Sequence, residues 1–216
     1  MRTIFRSSGL ALTLVAGFLT LAAPSTASAA ITRLVVSGTS ANLNLVTSIP
    51  GSRSDCTIDL WVTLMASSSV QRTNMAASTG AVGFVQRVDN CTDDFEFGSF
   101  NVGLPATAFT AGTGTVSLNA TFPVVMASFG PAGGTVTRTL VIATQYKALE
   151  NNSVASRSFG IIRSPGLTLI TRSNSVFNAA GVTGSLKLDG VNLVTSKASI
   201  DSSIETGTSA TIDITK

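Results

Sequence analysis

Six carboxylates lie close in sequence to the two cysteines of this chain. They surround Cys56 and Cys91: Asp55, Asp59, Asp89, Asp93, Asp94 and Glu96. Calcium binds in loops that present several oxygen ligands, and the segment 89–94 offers three carboxylates, those of Asp89, Asp93 and Asp94. The segment lacks the spacing and the glycine of an EF-hand loop. Solvated turn residues are therefore the simpler interpretation, and a calcium site is the alternative.

Catalysis is constrained by the residue types that the sequence lacks. The chain contains no histidine, which excludes Ser-His-Asp and Cys-His mechanisms and every histidine-ligated metal. Two cysteines cannot complete a four-cysteine zinc site within one chain. A glycosidase needs only two acids at a suitable separation, but nothing in the sequence selects a nucleophile. We predict that the protein is not an enzyme and uses no cofactor, with calcium as the one alternative.

The two cysteines are 35 residues apart. In an exported chain a disulfide between Cys56 and Cys91 is the expected state. Closing a loop of that length would stabilise the fold by about 3–4 kcal/mol on the chain-entropy model. Free thiols or an intermolecular bridge are the alternatives. A redox function is not expected, because the pair is not a C-x-x-C motif.

Trp61 is the one residue suited to stacking on a sugar ring. The chain has a single tryptophan and a single tyrosine, Tyr146. Trp61 lies between Asp59 and Thr63 on the polar face of its strand, so it could be exposed to a ligand. The commoner arrangement is that such a residue covers the second face of a sheet. The phenylalanines that follow residue 30 are assigned to the core.

Short runs of alternating polar and apolar residues predict strands along the whole chain. The clearest are 56–65 and 116–124, in which every second residue is apolar. Further predicted strands are 31–37, 41–46, 82–88, 95–102, 136–146, 158–162, 167–171, 186–194 and 210–215. We predict an all-β fold: an antiparallel β-sandwich of jelly-roll or immunoglobulin-like type with about ten strands.

Two predicted strands change phase at a glycine. Phe95 and Phe97 share one face, but Phe100 takes the opposite parity after Gly98, and a similar change occurs across Gly190. One extra residue in a strand moves its side chains to the other face. Each glycine is therefore predicted to be a β-bulge or a tight turn, with loss of regular pairing as the alternative.

The first 29 residues have the pattern of a secretory signal peptide. Arg2 and Arg6 precede an apolar segment of 14 residues at 10–23, which is too short to cross a bilayer, and Ala27-Ser28-Ala29 fits a cleavage site. We predict one domain over 30–216, with no later membrane span. Neither a twin arginine nor a lipidation cysteine is present. The expected destination of the general secretion route is the periplasm, the cell surface or the medium.

The formal net charge of +3 falls to about +1 when Arg2 and Arg6 are removed, so no nucleic-acid binding is expected. The charge is unevenly distributed. Residues 53–129 carry −3, whereas residues 130–175 carry +4. Ordinary solvated strand faces account for this distribution, and the alternative is that opposite patches meet between subunits.

Four segments carry a resemblance to a group of proteins. They are VSGTSANLNL at 36–45, DCTIDLWV at 55–62, VDNCT at 88–92 and GTVSLNAT at 114–121. In this order they resemble secreted, β-rich bacterial proteins to which no function has been assigned, over most of the mature chain. The resemblance implies no catalytic residue. Chaperone–usher pilins, which end in a strand with a penultimate aromatic, are disfavoured because the penultimate residue here is Thr215.

These observations predict a non-enzymatic structural or interaction protein of the cell surface or extracellular space. Partners consistent with the sequence are a second copy of the chain or a glycan. A carbohydrate-binding module, with Trp61 as its contact residue, is the alternative.

Overall fold

The computed structural model describes residues 34–71, 76–130, 133–164 and 167–215. The predicted signal peptide and the first residues of the predicted strand 31–37 lie outside these ranges. Ten strands account for most of the described residues: β1 Leu34–Pro50, β2 Thr57–Gln71, β3 Ala76–Asp89, β4 Asp94–Gly103, β5 Phe109–Gly112, β6 Thr115–Ser128, β7 Thr135–Ser164, β8 Leu167–Leu188, β9 Val191–Asn192 and β10 Ser199–Thr215. The all-β prediction with about ten strands is confirmed.

All strand pairs are antiparallel, and most join neighbours in the sequence. The order of pairing is β1-β2-β3-β4-β6-β7-β8, while β5 pairs with β6 and β9 with β8. Because β10 pairs with both β1 and β8, the sequence of pairs returns to its start. The strands therefore belong to one continuous antiparallel sheet. Its connections are mostly hairpins rather than the long crossovers of jelly-roll or immunoglobulin-like sheets.

The core is built by the alternation that the sequence predicted. In β2 the inward positions are Leu60, Val62, Leu64 and Ala66, all buried. In β6 the corresponding buried residues are Val116, Leu118, Phe122, Val124 and Met126. These side chains belong to a single hydrophobic cluster that also includes residues of β1, β4, β7, β8 and β10. Each buried aliphatic side chain contributes about 1.5–3 kcal/mol relative to its exposed state.

The predicted change of phase at Gly98 is wrong. The register between β3 and β4 runs without interruption from Gly80↔Gly103 to Asp89↔Asp94. Because the alternation continues through Gly98, Glu96 faces the core and Phe97 faces outward. The glycine is required for packing, since a Cβ at this position would lie 2.6 Å from the carbonyl oxygen of Val125.

The prediction at Gly190 is confirmed as a tight turn. Asp189 and Gly190 form the two-residue loop between Leu188 and Val191, which pair across β8 and β9. Both loop residues have positive φ, 48° and 85°. This is the backbone conformation of a two-residue hairpin loop that matches the twist of its strands, and Asp-Gly is a favoured sequence for it.

The second half of β7 and the first half of β8 form a long hairpin, here called the arm (residues 153–164 and 167–178). The two strands stay in register from Ser153↔Asn178 to Ser164↔Leu167, after an irregularity between Ala148 and Ser153. On its other side β8 pairs with β10 over this whole length. The sequence predicted separate short strands at 136–146, 158–162 and 167–171. In the structure the first two belong to the single long strand β7, and the third is the start of the long strand β8.

Within the described part of the chain, no helix has the length and apolar character needed to cross a membrane.

Substitution of Gly98 tests the uninterrupted phase of β4. Gly98→Ala should lower the free energy of unfolding by about 1–3 kcal/mol, because the added methyl group overlaps the Val125 carbonyl and the Met126 side chain. Gly103→Ala on the same strand is the matched control, since a methyl group there meets nothing within 4 Å. The control should change stability by no more than about 0.5 kcal/mol. Urea titrations that give both variants the same midpoint would contradict the register.

Candidate functional site

Cys56 and Cys91 form the predicted disulfide. The bond joins the β1–β2 loop to the β3–β4 loop, with 5.3 Å between the two Cα atoms. Gly51 packs directly on it, because a Cβ at this residue would overlap the Cys91 sulfur. Arg53 adds a hydrogen bond from its guanidinium to the Cys91 carbonyl at 3.0 Å. These contacts fix two adjacent loops at one end of the sheet.

The three acids of the calcium hypothesis have separate surroundings. Asp89 points inward and forms an ion pair with Arg87 at 2.7 Å. Its carboxylate also accepts a hydrogen bond from the backbone N–H of Cys91, with 2.9 Å between nitrogen and oxygen. Asp94 accepts the Ser128 hydroxyl at 2.8 Å. Asp93 is an exposed turn residue with positive φ. Across the described ranges no three acidic or cysteine residues form a group able to hold a metal, so the calcium hypothesis gains no support.

Five charged residues form a connected network at the same end of the core, here called the Glu96 cluster: Arg87, Asp89, Glu96, Arg138 and Asp189. Glu96 is 2% exposed and lies at its centre. Its carboxylate accepts hydrogen bonds from the Arg87 guanidinium, at 3.2 Å, and from two nitrogens of Arg138. Arg138 also pairs with Asp189 at 2.7 Å.

Burial and the contacts within the network shift the pKa values of its members in opposing directions. Burial alone would raise the pKa of Asp89, but hydrogen bonds from the Cys91 amide and the Arg87 guanidinium outweigh it and hold the pKa below its usual value. The hydrogen bond with Glu96 raises the pKa of Arg138. The guanidiniums of Arg87 and Arg138 thus engage both carboxylate oxygens of Glu96. Removing one partner would leave a buried charge uncompensated, which is strongly destabilising.

Sequence reasoning missed the Glu96 cluster, although one signal was present. Arg87 and Glu96 face each other across the β3–β4 hairpin. A hairpin centred on residues 90–93 predicts this pairing of opposite charges. The third partner, Arg138, lies 42 residues beyond Glu96 in the sequence, so no local pattern predicts this contact.

Trp61 belongs to a row of aromatic rings on the outer face of the sheet. Trp61, Phe84 and Phe97 stand on β2, β3 and β4, and we call these three the aromatic ribbon. The centroid distances are 5.3 Å from Trp61 to Phe84 and 5.8 Å from Phe84 to Phe97. Trp61 is 42% exposed and Phe97 is 40% exposed. The assignment of Phe97 to the core is therefore wrong, because the inward position next to it is taken by Glu96. The assignment is also wrong for Phe129, Phe159 and Phe177, which are exposed.

A hydrogen bond from the indole N–H holds the orientation of Trp61. The indole N–H donates to the side-chain oxygen of Asn44, which also accepts the Thr63 hydroxyl at 3.4 Å. Val46 stands opposite Trp61 in the register and is exposed as well. The ribbon thus offers an apolar surface on rigid strands with amide and hydroxyl groups beside it. Such a surface can stack on a flat apolar partner while the polar groups hydrogen-bond to its rim.

Asp59 lies on the same outer face and is held by three hydrogen bonds. It accepts from Ser48, from Asn90 at 2.9 Å and from Thr57 at 3.4 Å. The bond from Ser48 is the main cause that lowers the pKa of this carboxyl, followed by the bond from Asn90. The group is therefore ionised at neutral pH and is already engaged by its neighbours.

Comparison with protein-family models finds no match, and comparison with curated proteins finds none either.

The protonation of three hydrogen-bonded carboxylates should determine how the free energy of unfolding changes at acid pH. The pKa values of Asp59, Asp89 and Asp189 are lower in the folded chain than their ordinary values. Protonation therefore favours the unfolded chain, and the free energy of unfolding should be constant above about pH 5 and fall as the pH drops through these pKa values. Asp189→Asn should make this fall shallower in urea titrations between pH 5 and pH 2. An unchanged slope would contradict the assignment.

Proposed function

We propose that the chain is a non-enzymatic interaction protein of the cell surface or extracellular space, with the aromatic ribbon as its contact surface. The observation that carries this proposal is the exposure of Trp61 and Phe97 on either side of Phe84. Contiguous exposed apolar side chains on a folded protein mark surfaces that bind a partner. Tryptophan and other aromatics are the residues that contribute most to such contacts.

Two features support the export that this function requires. The Cys56–Cys91 disulfide is of the kind that forms and persists in oxidising compartments. The sequence at 1–29 has the n-region, apolar segment and cleavage pattern of a secretory signal peptide. Together they support a secreted, periplasmic or surface-bound bacterial protein.

A carbohydrate-binding module is the second candidate, and the geometry of Trp61 favours it specifically. An exposed indole can stack on the apolar face of a pyranose ring. Asn44 and Thr63, which lie beside the indole, carry amide and hydroxyl groups of the kind that bind sugar hydroxyls. The ribbon of three rings could then contact successive sugar units of a neutral polysaccharide.

One binding experiment distinguishes a protein partner from a glycan. The purified chain is incubated with envelope fractions of the source organism that have been treated with protease, with polysaccharide hydrolases or with neither. Loss of binding after protease supports a protein partner, and loss after hydrolase supports the carbohydrate-binding alternative. Absence of binding to the untreated fraction and to a panel of neutral oligosaccharides would contradict both.

Trp61→Ala should weaken this binding at least about tenfold, because it removes a large anchoring side chain from the surface. Val191→Ala is the matched control, since Val191 is exposed on β9, away from the three strands of the ribbon. Trp61 is the only tryptophan, so its fluorescence also reports ligand contact directly. Equal affinities for Trp61→Ala and the unchanged chain would show that the ribbon is not the contact surface.

A further inference from the structure

The arm continues the inward face of the core. Ile204 of β10 is buried in the core and pairs with Asn178 of β8. Residues directly opposite each other in a ladder share a face, and side chains alternate along a strand. The even-numbered residues of β8 from 172 to 178 therefore face inward, and so do the odd-numbered residues of β7 that pair with them, 153 to 159. We call this side of the arm the inner face.

The lining of the inward face changes from apolar to polar towards the arm. In β1 the inward residues Ala41, Leu43 and Leu45 are buried in the core, whereas the next inward residues, Thr39 and Ser37, are half-buried. The registers align such residues in two rows across the sheet, and most of them carry a hydroxyl, an amide or a guanidinium. The rows are Arg157, Asn174, Thr208, Ser37 and Val70, and Ala155, Val176, Thr206, Thr39 and Ser68.

Two adjoining cavities lie along these rows. One, of about 470 Å³, is lined by Arg157 and Arg172. The other, of about 500 Å³, is lined by hydroxyl-bearing residues of β1, β2 and β10 and by Phe109 of β5. Asn174 and Val176 line both cavities. Each cavity has the volume of a small-molecule site, and together they place a cationic end beside a hydroxyl-rich end.

The two arginines of this face have no acidic partner among the described residues, since none of the ion pairs there includes Arg157 or Arg172. Residues 151–178 contain no acid at all. Glu205 of β10 pairs with Phe177 and is therefore on the outer face. Arg157 and Arg172 are diagonal neighbours, whose Cβ atoms lie about 7–8 Å apart. One anionic group can therefore accept hydrogen bonds from both guanidiniums and offset their mutual repulsion.

We propose that the inner face of the arm binds a glycan whose sugars carry carboxylate groups. Arg157 and Arg172 bind the carboxylate, because a planar guanidinium matches its two oxygens. Phe159, which is 67% exposed and stands opposite Arg172, offers a ring on which the apolar face of the sugar stacks. The serine, threonine and asparagine side chains of the two rows hydrogen-bond to the sugar hydroxyls.

The combination of groups selects this ligand. Two arginines without an acid select an anion, the exposed ring of Phe159 selects a flat apolar face, and the rows of hydroxyl groups select a partner rich in hydroxyls. A bilayer surface is flat and does not enter cavities with this lining. The site is separate from the aromatic ribbon, because Trp61 is on the outer face of the sheet. The inference therefore does not rest on the contact proposed for the ribbon.

Isothermal titration calorimetry of the purified protein tests the proposal with tetrasaccharides of galacturonic acid, of mannuronic acid and of hyaluronan. At least one of them should bind, and its affinity should fall as salt is added, because salt screens exposed charges. A neutral galactose tetrasaccharide and polyglutamate are the controls. Both should bind at least about tenfold more weakly, since the first lacks the carboxylates and the second lacks the sugar rings.

Substitutions test the residues assigned to the site. Arg157→Gln and Arg172→Gln should each raise the dissociation constant about tenfold or more, because each removes charge-assisted hydrogen bonds. Lys197→Gln is the matched control, since it removes the same charge from an exposed position between β9 and β10. Phe159→Ala should also weaken binding, and Phe177→Ala, exposed on the outer face of the same hairpin, should leave it unchanged.

The inference is overturned if none of the acidic tetrasaccharides binds, or if polyglutamate or the neutral tetrasaccharide binds as tightly as they do. It is also overturned if Arg157→Gln and Lys197→Gln have the same affinity. Trp61→Ala should bind the acidic tetrasaccharides as the unchanged chain does, so failure of the ribbon to bind a partner and failure of the inner face to bind a glycan are separate results.

Discussion

Glu96 sets the phase of β4, and several features of the protein depend on that phase. Its carboxylate lies on the core side of the sheet, where Arg87 and Arg138 bind it. Strand side chains alternate without exception through this stretch, so an inward Glu96 obliges Phe97 to point outward. Phe97 then meets Phe84, which meets Trp61, and the outer face gains its aromatic ribbon. The buried ion network and the proposed contact surface are two consequences of one register.

Much of this fold could be predicted from local sequence patterns. The strands around Leu60 and Leu118 were predicted correctly because each buries one face and each lies between clear turn residues. The disulfide followed from two cysteines in a chain with the pattern of an export signal, and the turn at Gly190 followed from the change of phase in the apolar residues across that glycine. The strands and the turn are each encoded by a few neighbouring residues. The disulfide joins the only two cysteines of the chain, so neither has an alternative partner within it.

The remaining features depend on contacts that no local pattern shows. Hydrophobicity predicted that Phe97 lies in the core, but Glu96 takes the inward position instead. Arg138, 42 residues away in the sequence, compensates the buried charge of the Glu96 carboxylate. The length of β7 was missed because its second half has no buried face and pairs only with β8, which in turn pairs with β10. The sequence singled out Trp61 as a candidate contact residue but did not reveal the aromatic neighbours that form a surface with it.

A double-mutant cycle on Glu96 and Arg138 tests this account most directly. The free energies of unfolding are measured for the unchanged chain, for Glu96→Gln, for Arg138→Gln and for the variant with both changes. If Glu96 is buried against Arg138, each single change leaves a buried group without its partner, and the coupling free energy should be about 2–3 kcal/mol. A coupling free energy within about 0.5 kcal/mol of zero would show that the two residues do not interact. The phase of β4, and with it the outward position of Phe97, would then be wrong.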